Sequence, residues 1–188
     1  MHLWPPCCRT GTPELERGSR ADMRATGILH GQQAGGAADE QQGKMNGPVQ
    51  VATDGACPGN PGPGGWAWTT GSTDASGGLR VTTNQEMELR AILEVLRAHP
   101  DQPIVILTDS QYVIDCVTTW LPGWRRNGWR TSARRPVKHQ PTIEAIAAEL
   151  DRRPVQLVKV LGHAGHPLNE RADRLAAAAA ARAARAPQ

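Results

Sequence analysis

The chain of 188 residues has no Phe, a single Tyr and six Trp, which rules out a core built on large aromatics. Nor does any apolar run approach the roughly 20 residues a helix needs to span a bilayer, so no membrane role is expected. Four cysteines (Cys7, Cys8, Cys57, Cys116) show neither the paired spacing of a zinc site nor a disulfide framework. A reducing, cytoplasmic setting fits that pattern. The opening MHLWPPCCRT lacks the basic head and long apolar stretch of a secretory signal. A formal charge of +3 and a pI near 8.9 permit a polyanionic partner without demanding one.

Structure is also missing from the pattern of residues 1–47. GQQAGGAADEQQGK is rich in Gly, Ala and Gln, has no hydrophobic period, and cannot offset its own ordering entropy. This stretch reads as a disordered N-terminal extension, with Met23 and Met45 as alternative starts. A single folded domain is expected over residues 48–186.

From Val49 the texture changes. PVQVATDG reads as a strand ending in an acid, and CPGNPGPGG as a tight turn where helix is impossible. GWAWTTG and GGLRVTT suggest a hairpin joined by a loop from Gly71 to Gly78. Leu89, Ile92, Leu93 and Leu96 recur at i, i+3, i+4 and i+7, the stripe of an amphipathic helix. Thr83 or Asn84 caps it, Glu86 and Glu88 favour its positive end, and Pro100 closes it. PIVILTD is a strand buried on both faces. A helix over residues 111–120 turns Tyr112, Val113, Cys116 and Val117 inward. Pro141 opens another helix, VQLVKVL is the last strand, and an Ala-rich helix covers about residues 169–185. This order argues for an α/β sandwich with a mixed sheet.

Four acids lie where an acid serves a core poorly: Asp54, Glu88, Asp109 and Asp173. Gathered in one cleft they would repel one another, and some would hold protons until a cation arrived. Oxygen ligands without His or Cys favour Mg²⁺ or Mn²⁺ over Zn²⁺. Such a cluster suits in-line phosphoryl transfer with two metals about 3.5–4 Å apart.

The segments ATDGACPGNPGPGG, TTNQEMEL, LTDSQYV and GHAGHPLNERADRLA, in this order, closely resemble the type 1 ribonuclease H family over residues 49–181. The resemblance implies an α/β ribonuclease H-like fold, a central mixed five-stranded sheet flanked by helices. It implies an endoribonuclease that cuts the RNA strand of RNA/DNA hybrids with two Mg²⁺ per site, Mn²⁺ being possible. The products implied carry 5′-phosphate and 3′-hydroxyl ends, and a monomer is the expected state. Asp54, Glu88, Asp109 and Asp173 match the family's metal-binding acids. His163, in a Gly-flanked loop, matches its histidine for proton transfer or product release. A DNA-cutting nuclease and a catalytically dead hybrid-binding module are the rivals. The second would require loss of an acid, and all four are present.

The same resemblance places Cys57, Asn60, Asn84, Gln85 and Gln111 against the RNA strand, where short polar groups sense 2′-hydroxyls. LPGWRRNGWRTSARRPVK has no acid and interleaves Trp with cations, as expected of a handle for DNA phosphates. It resembles the basic protrusion of bacterial members, with Trp120, Trp124, Arg125, Arg126, Arg134, Arg135 and Lys138 as DNA-strand contacts. Thr83 matches a residue of the family's phosphate pocket. Departures are His139 where relatives often place Asn, Ile143 for a Trp, and Leu157 and Lys159 where Trp is common.

Overall fold

The computed structural model describes residues 47–162 and 165–186. The strands are β1 (Val49–Ala56), β2 (Gly62–Thr69), β3 (Asp74–Thr82), β4 (Ile104–Thr108) and β5 (Val155–Lys159). They form one sheet in the order β3-β2-β1-β4-β5. The β1–β2 and β2–β3 pairs are antiparallel, while β1–β4 and β4–β5 are parallel. The sheet is therefore the expected mixed five-stranded one, with β1 at its centre.

The helices are α1 (Asn84–Ala98), α2 (Gln111–Ile114), α3 (Leu121–Arg126), α4 (Gln140–Arg152) and α5 (Pro167–Arg185). Side chains alternate across the sheet, as the period of a strand requires. Val51, Ile104 and Ile106 join Leu89, Ile92, Leu96, Ile143 and Ile146 in the larger core, under α1 and α4. Ala52, Val105 and Leu107 face the other way, toward Ala172 of α5. Among the described residues no helix is long and apolar enough to cross a membrane.

Four expectations need adjustment. The turn read over CPGNPGPGG is shorter, because β2 already begins at Gly62 and pairs with β3. The hairpin loop is shorter than Gly71–Gly78, because β3 already begins at Asp74 and pairs with Thr69. The single helix over residues 111–120 is a turn of α-helix followed by a π-helical segment, Asp115–Trp120. The Ala-rich helix starts at Pro167, two residues earlier than its polar beginning suggested, because Pro suits a first helical turn. Residues 1–46 and His163 lie outside the described residues, so the expectations placed there are not addressed by the fold.

Glycine decides how closely helices approach the sheet. A Cβ on Gly55 would strike the backbone of α1 at Met87 and Glu88. One on Gly65 would strike the backbone of α5 at Ala176 and Ala180. Both helices thus rest on strands at backbone distance, and Ala176, Ala179 and Ala180 are buried there.

Candidate active site

The central strand carries the first acid. Asp54 lies on β1, two residues before its end, opposite Ala67 of β2. Its neighbour Gly55 lets α1 press against the strand, and this brings Glu88 alongside. Asp109 follows the last residue of β4, the strand parallel to β1. Asp173 comes from the second turn of α5. The four carboxylates line one open cavity of about 370 Å³, with Cys57, Pro58 and Asn84 on its rim. Among the described residues, no group of three or more His, Cys, Asp or Glu side chains is placed to hold a metal ion as it stands.

Electrostatics show the strain of this gathering. Burial, then the charges of Asp109, Asp173 and Glu88, push Asp54 from 3.8 up to about 7. Burial also raises Glu88, with Asp109 adding to it, while hydrogen bonds from Ser110 and Asn84 oppose the rise. The all-oxygen donor set and this unrelieved repulsion fit a hard divalent cation. Cys116 takes no part, being fully buried in the larger core, where burial pushes its thiol up to about 11.

Glu88 is held from both sides. Asn84 Nδ2 donates to its Oε1 at 2.8 Å, and Ser110 Oγ donates to its Oε2. Ser110, buried beside Asp109, also accepts from Val113 N and so caps α2. Sequence reasoning missed Ser110. The signal was its position directly after an acid and three before the apolar stripe of a helix. On the far side of Asp109, a Cβ on Gly162 would come 2.8 Å from Asp109 Oδ2. The loop leading to His163 therefore runs directly over this carboxylate.

The polar rim divides. Asn60, Gln85 and Gln111 are exposed, and Gln111 Nε2 donates to Asp115 at 2.9 Å. Asn60 Oδ1 accepts from Asn84 N at 3.2 Å, which ties the turn after β1 to the start of α1. The Cys57 side chain is turned inward, its thiol donating to the carbonyls of Gly62 and Thr82. Its backbone N–H donates to Asn84 Oδ1 at 3.1 Å. Its carbonyl accepts from Asn60 N at 3.2 Å, which leaves one lone pair of that carbonyl to meet a ligand.

Thr83 caps α1 through Oγ1, accepting from Glu86 N at 3.3 Å. The same oxygen lies 3.3 Å from His139 Nε2, and His139 Nδ1 lies 2.6 Å from Glu86 Oε2. Glu86, expected to serve the helix dipole, thus orients a histidine 53 positions away.

Beyond this triad the Trp-rich stretch forms an aromatic ladder. Ring centroids are 6.0 Å apart for Tyr112–Trp120, 5.5 Å for Trp120–Trp124 and 6.5 Å for Trp124–Trp129. Arg126, Arg134, Arg135 and Lys138 are exposed around it. Arg125 is not free: it pairs with Asp151 of α4 at 2.6 Å, a partner no local reading of the stretch reveals. Replacing Arg125, Arg126, Arg134 and Arg135 with Ala is expected to weaken binding of an RNA/DNA hybrid more than it slows the bound complex. The log–log salt dependence of Kd should flatten by roughly 0.9 for each phosphate no longer neutralised, with Arg125 contributing least. Parental affinity and slope in that variant would make the stretch an ordinary solvated face.

Comparison with known proteins identifies the family. The family model described as RNase H matches residues 46–181. Ribonuclease H of Bradyrhizobium diazoefficiens is 48% identical over 133 residues, covering 68% of this chain and 86% of that protein. Ribonuclease H of Bordetella pertussis is 48% identical over 147 residues, covering 75% and 90%. Among solved structures, LC9-RNase H1, described as a type 1 RNase H with the type 2 active-site motif, is 28% identical. It superposes with a TM-score of 0.61 over 73% of this chain and 74% of its own. With four acids in one cleft, the mixed sheet beneath them and these relatives, the chain belongs to the type 1 ribonuclease H family and is a nuclease.

Proposed function

We propose that the domain, residues 48–186, hydrolyses the RNA strand of RNA/DNA hybrids, leaving 5′-phosphate and 3′-hydroxyl ends. Residues 1–47 are an extension to it, and the enzyme acts as a cytoplasmic monomer. The observation that carries this reading is the convergence of Asp54, Glu88, Asp109 and Asp173, from four separate elements, on one open cavity.

These carboxylates would hold two Mg²⁺, or Mn²⁺ in their place. When bound, such cations neutralise phosphate charge and make water a better nucleophile. The protein does the rest. Ser110 and Asn84 fix the orientation of Glu88. Asn60, Gln85 and Gln111, with the main chain at Cys57, present polar groups to 2′-hydroxyls. Thr83 and His139 receive a phosphate of the DNA strand, and the Trp and Arg side chains from Trp120 to Lys138 support that strand. His163 carries a proton to or from the cleaved bond.

The test is incubation of an end-labelled RNA/DNA hybrid with the protein, with Mg²⁺ or with a chelator. RNA fragments with 3′-hydroxyl ends are expected with Mg²⁺ alone, and a DNA duplex of the same sequence should survive. Cutting of that duplex at a similar rate would sink the hybrid reading.

A further inference from the structure

Lys159 ends β5 and is paired in register with Thr108, the residue before Asp109. Its Nζ donates to the backbone carbonyl of Asp109 at 3.1 Å. The ammonium is therefore parked beside the acid cavity, on the carbonyl of one of its four acids, although the side chain is exposed. Its charge is felt at Glu88, where it opposes the effect of burial.

Its place sets it apart: Arg126, Arg134, Arg135 and Lys138 also lack a carboxylate partner among the described residues, but Lys159 alone of these meets the carbonyl of a cavity acid. Arg90, Arg97, Arg125, Arg152, Arg153 and Arg171 all lie against carboxylates. Among the described residues, no carboxylate lies within ion-pair distance of Lys159. An ammonium has three N–H donors, and a single carbonyl engages one of them. A full positive charge with two open donors thus stands at the edge of a cavity lined by four acids.

We propose that Lys159 is a phosphate ligand for the RNA strand, gripping a phosphodiester next to the one presented to the four acids. The proposal rests on the hybrid-cleaving reading above. Proximity selects the strand: a cation on the Asp109 carbonyl lies beside whichever strand is cut, whereas the Trp and Arg stretch serves the other. Chemistry selects the ligand. Four carboxylates repel an approaching polyanion, and an uncompensated lysine at their rim offsets that repulsion where the RNA enters.

The test is binding without cleavage. Kd of the full chain for an RNA/DNA hybrid is measured in chelator across a range of salt, for the parent, Lys159→Ala and Lys159→Arg. Lys159→Ala should raise Kd about five- to tenfold near 0.1 M salt and flatten the log–log slope by about 0.9, with Lys159→Arg close to the parent. A set of hybrids carrying one neutral methylphosphonate at successive positions then locates the contact. At one RNA-strand position the neutral linkage should weaken the parent several-fold and leave Lys159→Ala unchanged. Equal affinity and slope for the parent and Lys159→Ala would overturn the proposal alone, and so would coupling confined to DNA-strand linkages. A parent that fails to bind hybrid would overturn it together with the substrate reading. Because Lys159 is exposed, an unchanged Tm is expected and excludes a folding artefact.

Discussion

Asp54→Asn is expected to abolish cleavage while hybrid binding stays near the parental value. The amide keeps the size of the carboxylate but removes one charge from the acid at the centre of the cavity, the one that feels the other three. Loss of such a carboxylate should slow the reaction by several orders of magnitude, a barrier increase of about 4 kcal/mol or more. On the proposed reading binding depends instead on the polar rim, Lys159 and the Trp and Arg stretch, which the substitution leaves intact. Single-turnover cleavage and Kd in chelator, measured on the same preparation, separate the two effects. Near-normal cleavage would sink the assignment of Asp54 as the central ligand. His163→Ala serves as the contrast: water replaces a proton carrier in part, so its loss should be milder.

Metal-free protein is expected to become less stable as pH rises, and Asp54→Asn to remove most of that trend. Asp54 titrates at about 7 in the fold against 3.8 ordinarily. Between these values the folded state holds a proton that the unfolded chain has released. Stability is therefore full below the lower value and is lost progressively as pH rises toward the upper one. At about 1.4 kcal/mol per pH unit, the loss is on the order of 4 kcal/mol at most. For a domain of this size that corresponds to roughly 10 °C in Tm. Glu88, also raised, adds in the same direction. Calorimetry in chelator from pH 5 to pH 8 should show the fall for the parent and a much flatter profile for Asp54→Asn. Mg²⁺ added at pH 8 should restore the parent, because a ligand of the folded state alone stabilises it. Parallel pH profiles for parent and variant would mean the four charges are not coupled as described.

The legible parts of the molecule were those written in local pattern. The i, i+3, i+4, i+7 stripe of α1 and the apolar run of β4 announce themselves, and both elements appear where expected. The acids were legible because each sits at a strand end or helix start in a distinctive short segment. The π-helical segment was not, because widening one turn leaves the apolar residues Val113, Cys116 and Val117 looking like an ordinary helical face. The start of β3 hid in a Gly- and Ser-rich stretch, since its pairing is decided by β2 and by α5 lying across both. The links from Glu86 to His139 and from Arg125 to Asp151 join residues 53 and 26 positions apart, and no local signal marks them.

The seat of α5 has a consequence for how the catalytic geometry can be changed. Asp173, Ala176 and Ala180 lie at i, i+3 and i+7, so the stripe that carries the acid is the stripe that meets Gly65. Contacts between backbones have no rotamers to adjust, unlike contacts between long side chains. An added methyl group at Gly65 or a Val at Ala176 cannot be absorbed locally; it lifts the helix and carries the fourth carboxylate away with it. Position of the acid is thereby encoded by atoms the sequence leaves out. A designer wishing to move that carboxylate by a few tenths of an ångström would find the lever at a glycine on another strand.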